Sequence, residues 1–103
     1  MTHGIINHFR AKPGQRDRVI ALMSPEGSEM KGCYSFVIAL DTTDPDAFWM
    51  TEVWESKAAW EESLNAPGVK EGLDEMIPLV ADWGTEIITA PVIGVGTNFT
   101  APR

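Results

Sequence analysis

Phe48-Trp49-Met50-Thr51-Glu52-Val53-Trp54-Glu55-Ser56 runs directly into Lys57-Ala58-Ala59-Trp60-Glu61-Glu62-Ser63-Leu64, and this junction limits the fold most tightly. The first part is dense in aromatic and β-branched residues, which suit a pleated, half-buried surface, so it reads as a strand. Alternation puts Phe48, Met50, Glu52 and Trp54 on one face, with Trp49, Thr51 and Val53 opposite. Ser56 offers a hydroxyl to the free N–H groups that open a helix, and the spacing predicts that helix through about Asn65.

The rest of the chain supplies partners for this unit. Gly4 to Ala11 reads as a first strand, stopped by Lys12-Pro13-Gly14. In Arg16 to Met23, Val19, Leu22 and Met23 recur at helical spacing, and Ser24-Pro25-Glu26-Gly27 ends that helix. Cys33 to Leu40 is a second strand, and the polar turn Asp41 to Asp46 pairs it antiparallel with the third, Ala47 to Trp54. After Pro67-Gly68, an amphipathic stripe of Val69, Leu73, Met76, Ile77 and Val80 predicts another helix, kinked or shortened at Pro78. Thr85 to Thr89 makes a fourth strand. The order β-α-β-β-α-β is the ferredoxin-like α+β arrangement.

The 103 residues suffice for one domain and one core. A net charge of −7, with eight scattered basic residues, argues against nucleic acid and against an anionic membrane surface. No apolar run is long enough to span a bilayer, and the start of the chain lacks the basic and apolar regions of a signal peptide. The lone Cys33 has no internal disulfide partner. A cytoplasmic protein is therefore expected. Helices on one sheet face leave the other bare, and the half-apolar tail beyond Ala90 is extended; a second copy covering both would make a homodimer.

Few residues suggest chemistry. There are two histidines, His3 near a frayed terminus and His8 on the first strand, where it faces solvent or a dimer contact. No Cys/His cluster has metal-ligand spacing, and no glycine-rich phosphate cradle is present, so neither metal nor nucleotide cofactor is expected. Ile5, Asn7 and Phe9 share the core-facing side of the first strand, and Asn7 is the polar member that must find a protein, water or ligand partner. Glu52, between Met50 and Trp54, is either a paired interface charge or a pocket carboxylate; the general tendency of buried carboxylates favours pairing. Trp60, Ser63 and Leu64 lie on one helix face, where they serve as core or as pocket lining. The four tryptophans could wall an apolar pocket for a planar aromatic molecule.

Lys12-Pro13-Gly14, Gly32-Cys33, Asp44-Pro45, Thr51-Glu52-Val53-Trp54-Glu55-Ser56, Ser63-Leu64, Pro67 and Val69-Lys70 together resemble the antibiotic biosynthesis monooxygenase domain family. The resemblance covers about residues 4–90, leaving 91–103 as a tail, and implies a dimeric α+β barrel. It also implies a cofactor-free oxygenase that oxidises a quinol or polyketide-type aromatic with O2, its substrate held by Asn7, Phe9, Trp54, Trp60, Ser63 and Leu64. Relatives often carry a His on the second helix, at the position of Trp60 or of Ser63; this chain has none there, so its catalytic residues stay unassigned. In the haem-degrading branch Asn7 matches, but Ser63 stands at the Trp position and Leu73 at the axial His position, which argues against haem degradation. A non-catalytic small-molecule-binding or signalling domain of the same fold is the alternative.

Overall fold

The computed structural model describes residues 1–23 and 30–96, and residues 99–100 as backbone. Its elements are β1 (His3–Ala11), α1 (Arg16–Met23), β2 (Cys33–Leu40), β3 (Ala47–Trp54), α2 (Lys57–Ser63) and α3 (Val69–Met76), then a 3-10 turn (Ile77–Leu79), β4 (Val80–Asp82), β5 (Glu86–Thr89), β6 (Ile93–Gly94) and β7 (Phe99–Thr100). The expected helix end at Ser24-Pro25-Glu26-Gly27 lies outside the described residues.

An antiparallel sheet in the order β2-β3-β1-β4 forms the platform, and β5 also pairs with β1. β1 lies against β3 along its whole length, with Ile5 opposite Glu52 and Asn7 opposite Met50. One face of these two strands is dry: Ile5, Asn7, Phe9, Phe48, Met50, Glu52 and Trp54 are all buried. Phe9, Val19, Phe48, Met50, Met76 and Val80 form the core between this face and helices α1 and α3. Burial of such apolar side chains is worth roughly 1.5–3 kcal/mol each, which is what holds short helices in place. Ser56 caps α2 as its position suggests, its Oγ accepting from the Ala59 N–H at 3.0 Å. The helix stops at Ser63 rather than Asn65, because Leu64 and Asn65 donate three residues back, to Glu61 and Glu62.

The stripe expected to run to Val80 as one helix does not. α3 ends at Met76, Pro78 sits in the tighter turn, and Val80 already belongs to β4, opposite Ala11. The fourth strand is therefore split. Between its halves Gly84 adopts φ +60°, and a Cβ placed there would lie 1.9 Å from the carbonyl oxygen of His8. Thr85 then accepts from the His8 N–H at 3.1 Å. The turn frees Trp83 to lie edge-on to Phe9, with ring centres 5.7 Å apart. The tail is not simply extended: Ile93–Gly94 pairs antiparallel with Phe99–Thr100.

No helix among the described residues covers the opposite sheet face. Val37, Trp49 and Ile87 on this face are 40–50% exposed. His8 lies here, not in the core, its ring 4.4 Å from that of Trp49 and its Nε2 2.9 Å from Asp41.

Candidate active site

Between the buried sheet face and the helices lies a cavity of about 820 Å³. All six residues expected to hold a ligand, Asn7, Phe9, Trp54, Trp60, Ser63 and Leu64, line it. β1 and β3 supply the floor through alternation, which brings Asn7 and Phe9 from one strand beside Met50, Glu52 and Trp54 from the other. α2 supplies Trp60 and Ser63, and α3 supplies Val69 and Leu73.

Trp54, Trp60 and Trp83 wall the cavity, whereas Trp49 is on the uncovered face and takes no part. Trp60 is a partition. It also lines a smaller groove with His3, Lys57 and Glu86, and its ring centre lies 5.3 Å from that of His3. His3 is not frayed: it is 8% exposed and paired opposite Trp54 on β1. Nearness to the start of the chain concealed this, because the pairing that holds it comes from residues fifty positions away.

The polar points are few. Asn7 is 6% exposed, and its amide bonds to no other group among the described residues, so it is free to meet a ligand. Ser63 is committed, its hydroxyl donating to the Trp60 carbonyl at 2.5 Å. Glu52 is 7% exposed. The pairing expected of a buried carboxylate is absent: it takes part in no ion pair among the described residues. Its Oε1 instead accepts from the Trp54 indole N–H at 3.1 Å. Burial pushes its pKa above the usual carboxylate range, an effect the Trp54 hydrogen bond offsets in part and the charge of Glu86 reinforces. The other ionisable groups lining the cavity, Lys31 and Glu62, are exposed at its rim. Cys33 is half-buried, which raises its thiol pKa, and donates to the Ser35 carbonyl.

Such a cavity can hold a flat aromatic molecule by stacking and apolar contact, orient one polar edge through Asn7 and present a poorly solvated carboxylate to it. No group of three or more His, Cys, Asp or Glu side chains suited to a metal occurs among the described residues. No helix among them is long and apolar enough to cross a membrane.

The sequence profile of the antibiotic biosynthesis monooxygenase family matches residues 2–75. A solved structure of a candidate antibiotic biosynthesis monooxygenase from Chloroflexus aurantiacus is 42% identical and covers 95% of this chain and 100% of its own, with a TM-score of 0.89. A candidate member from Nitrosomonas europaea shares the fold at 16% identity and TM-score 0.78, over 87% of this chain and 89% of its own. An uncharacterised protein of Synechocystis sp. is 28% identical over 75% of this chain, which spans about half (54%) of that relative's length.

Proposed function

Because the chain belongs to the antibiotic biosynthesis monooxygenase family, we propose that it is a cofactor-independent monooxygenase acting on a quinol or a polyphenolic, polyketide-type aromatic. Such a reaction needs no electron carrier. A hydroquinone and O2 give a hydroxyquinone and water, the aromatic supplying all the electrons that O2 takes up. Deprotonation makes the ring electron-rich enough to reduce O2 directly, and the protein contributes orientation, exclusion of water and stabilisation of the anion. The observation that carries this reading is the cavity itself: tryptophan walls around a floor that holds one amide and one carboxylate, the first without a hydrogen-bond partner and the second without an ion pair among the described residues. Trp54 and Trp60 would flank the ring, Phe9 and Leu64 would fill the apolar ends, and the Asn7 amide would donate to the developing oxyanion.

Haem degradation fits poorly, since Leu73 brings an apolar side chain to the cavity where an axial ligand would be needed. A ligand-binding or signalling domain is the second reading, favoured by the absence of any histidine from the cavity lining among the described residues. Oxygen consumption by metal-free, flavin-free protein with hydroquinones, naphthalenediols and anthrones separates the two. Turnover above the buffer autoxidation rate supports the oxygenase. Quenching of tryptophan fluorescence without turnover supports the binder.

The working unit of this proposal is a homodimer. Val37, Trp49 and Ile87 on the uncovered sheet face, and Val92, Ile93 and Val95 in the tail, expose apolar surface that a second copy would bury. A monomer at micromolar concentration by light scattering would refute this.

A further inference from the structure

We propose that Glu52 is the base that takes the proton from the bound aromatic; this rests on the oxygenase reading and assigns the catalytic residue that it lacks. Three observations converge on this side chain. It lines the cavity from the floor, on the strand next to Asn7. It is 7% exposed and takes part in no ion pair among the described residues, so no fixed cation competes for its charge. One carboxylate oxygen is held by the Trp54 indole at 3.1 Å, while Oε2 has no hydrogen-bond partner among the described residues. A carboxylate anchored through one oxygen and idle at the other is oriented to accept a proton there.

No other lining group competes among the described residues. Lys31 and Glu62 are exposed at the rim. The Ser63 hydroxyl is engaged by the Trp60 carbonyl. Asn7 neither gains nor loses a proton, but as diagonal neighbour of Glu52 across the β1–β3 pair its amide can donate to the oxygen on which negative charge collects.

With an anthrone the steps balance. Glu52 removes a methylene proton and becomes a neutral acid, and the C–H electron pair passes into the ring as an enolate. The enolate carbon transfers electrons to O2 and forms the C–O bond of a peroxide, which recovers the proton from Glu52. The carboxylate then removes the second methylene proton as the O–O bond breaks, leaving a ketone, and that proton joins the departing hydroxide as water. One CH2 and one O2 become one C=O and one H2O.

Proton removal is separable from oxygenation. In anaerobic D2O the enzyme should exchange the methylene protons of anthrone for deuterium, followed by proton NMR, while oxygen uptake is measured in parallel under air. E52Q keeps an acceptor for the Trp54 indole and should slow exchange on the order of 10²–10⁴-fold, with anthrone affinity by tryptophan quenching within about threefold of wild type. E52D keeps the charge but withdraws it by one methylene, and should slow exchange about tenfold; it carries the test alone if E52Q does not fold. Exchange at the wild-type rate in either folded variant overturns the proposal, even if oxygen is consumed. Wild-type exchange no faster than buffer overturns it as well. Exchange that depends on Glu52 without oxygen uptake upholds the base and instead sinks the oxygenase reading.

Discussion

Gly84→Ala should be far more damaging than its exposed position suggests. Two other elements depend on this turn: the β1–β5 pairing and the placement of Trp83. At φ +60° an alanine meets the left-handed penalty, about 1–2 kcal/mol. Its methyl would also stand 1.9 Å from the His8 carbonyl oxygen, a backbone atom that cannot rotate away. Relief requires the turn to lift from β1, which sacrifices the hydrogen bond from His8 to Thr85, about 1 kcal/mol. Lifting also loosens the edge contact between Trp83 and Phe9, about 0.5–1.5 kcal/mol. The sum is about 3–4 kcal/mol. For a domain of this size that lowers Tm by about 15–25 °C. Gly14→Ala is the control: its φ is +78° but nothing lies within 4 Å of the added methyl, so only the backbone penalty applies, about 5–12 °C. Differential scanning calorimetry of both variants measures the close approach by difference. Equal losses, within about 3 °C, would refute the argument that the His8 carbonyl forbids a side chain.

Trp60→Ala should cost about 1–2 kcal/mol of stability, since its ring is only partly buried and chiefly loses the His3 contact, yet weaken anthrone binding about tenfold, as roughly 60 Å² of apolar contact is lost. Trp54→Ala, at 1% exposure, should cost about 3–5 kcal/mol in urea unfolding; the reverse ranking of the two would make Trp60 a core residue. Glu52 has its folded pKa above that of an unfolded chain, so the folded state holds the proton longer. Its stability contribution therefore falls as pH rises from about 4.3 towards the folded pKa and is level above it, with a slope of at most about 1.4 kcal/mol per pH unit. The wild type should lose stability relative to Glu52→Gln across that window, and parallel pH curves would contradict it. Trp49→Lys or Val37→Lys on the uncovered face should shift the proposed dimer to monomer in light scattering, with little change in the monomer's secondary structure by circular dichroism.

Side-chain alternation made the floor of the cavity legible. Ile5, Asn7 and Phe9 against Phe48, Met50, Glu52 and Trp54 follow from a period of two, and all seven are buried. The bounds of β2 and β3 matched because the polar turn from Asp41 to Asp46 that separates them acts locally. What stayed hidden depends on distant residues. Val80 fits a helical stripe as well as it fits a strand, and only the pairing of β4 with Arg10 and Ala11 decides between them. Glu52 fits a paired charge by pattern alone because buried carboxylates usually are paired; that no cation pairs with it among the described residues is a property of the assembled sheet. His3 owes its burial to β3 and α2, and Trp83 owes its place at the cavity to the turn at Gly84.

The two halves of the cavity are built to different standards of stiffness. Its floor is a ladder of hydrogen-bonded strands with Asn7 and Glu52 on adjacent central strands. Its ceiling includes α2, seven residues without a single buried side chain, and the eight-residue α3, both too short to be stable alone. The ceiling can therefore yield to molecules of different outline while the floor keeps its amide and carboxylate in register. Tolerance in shape and strictness in chemistry would then reside in separate layers: under the proposed function, ring size and substitution could drift with changes in α2 and α3 while Asn7 and Glu52 stay as they are.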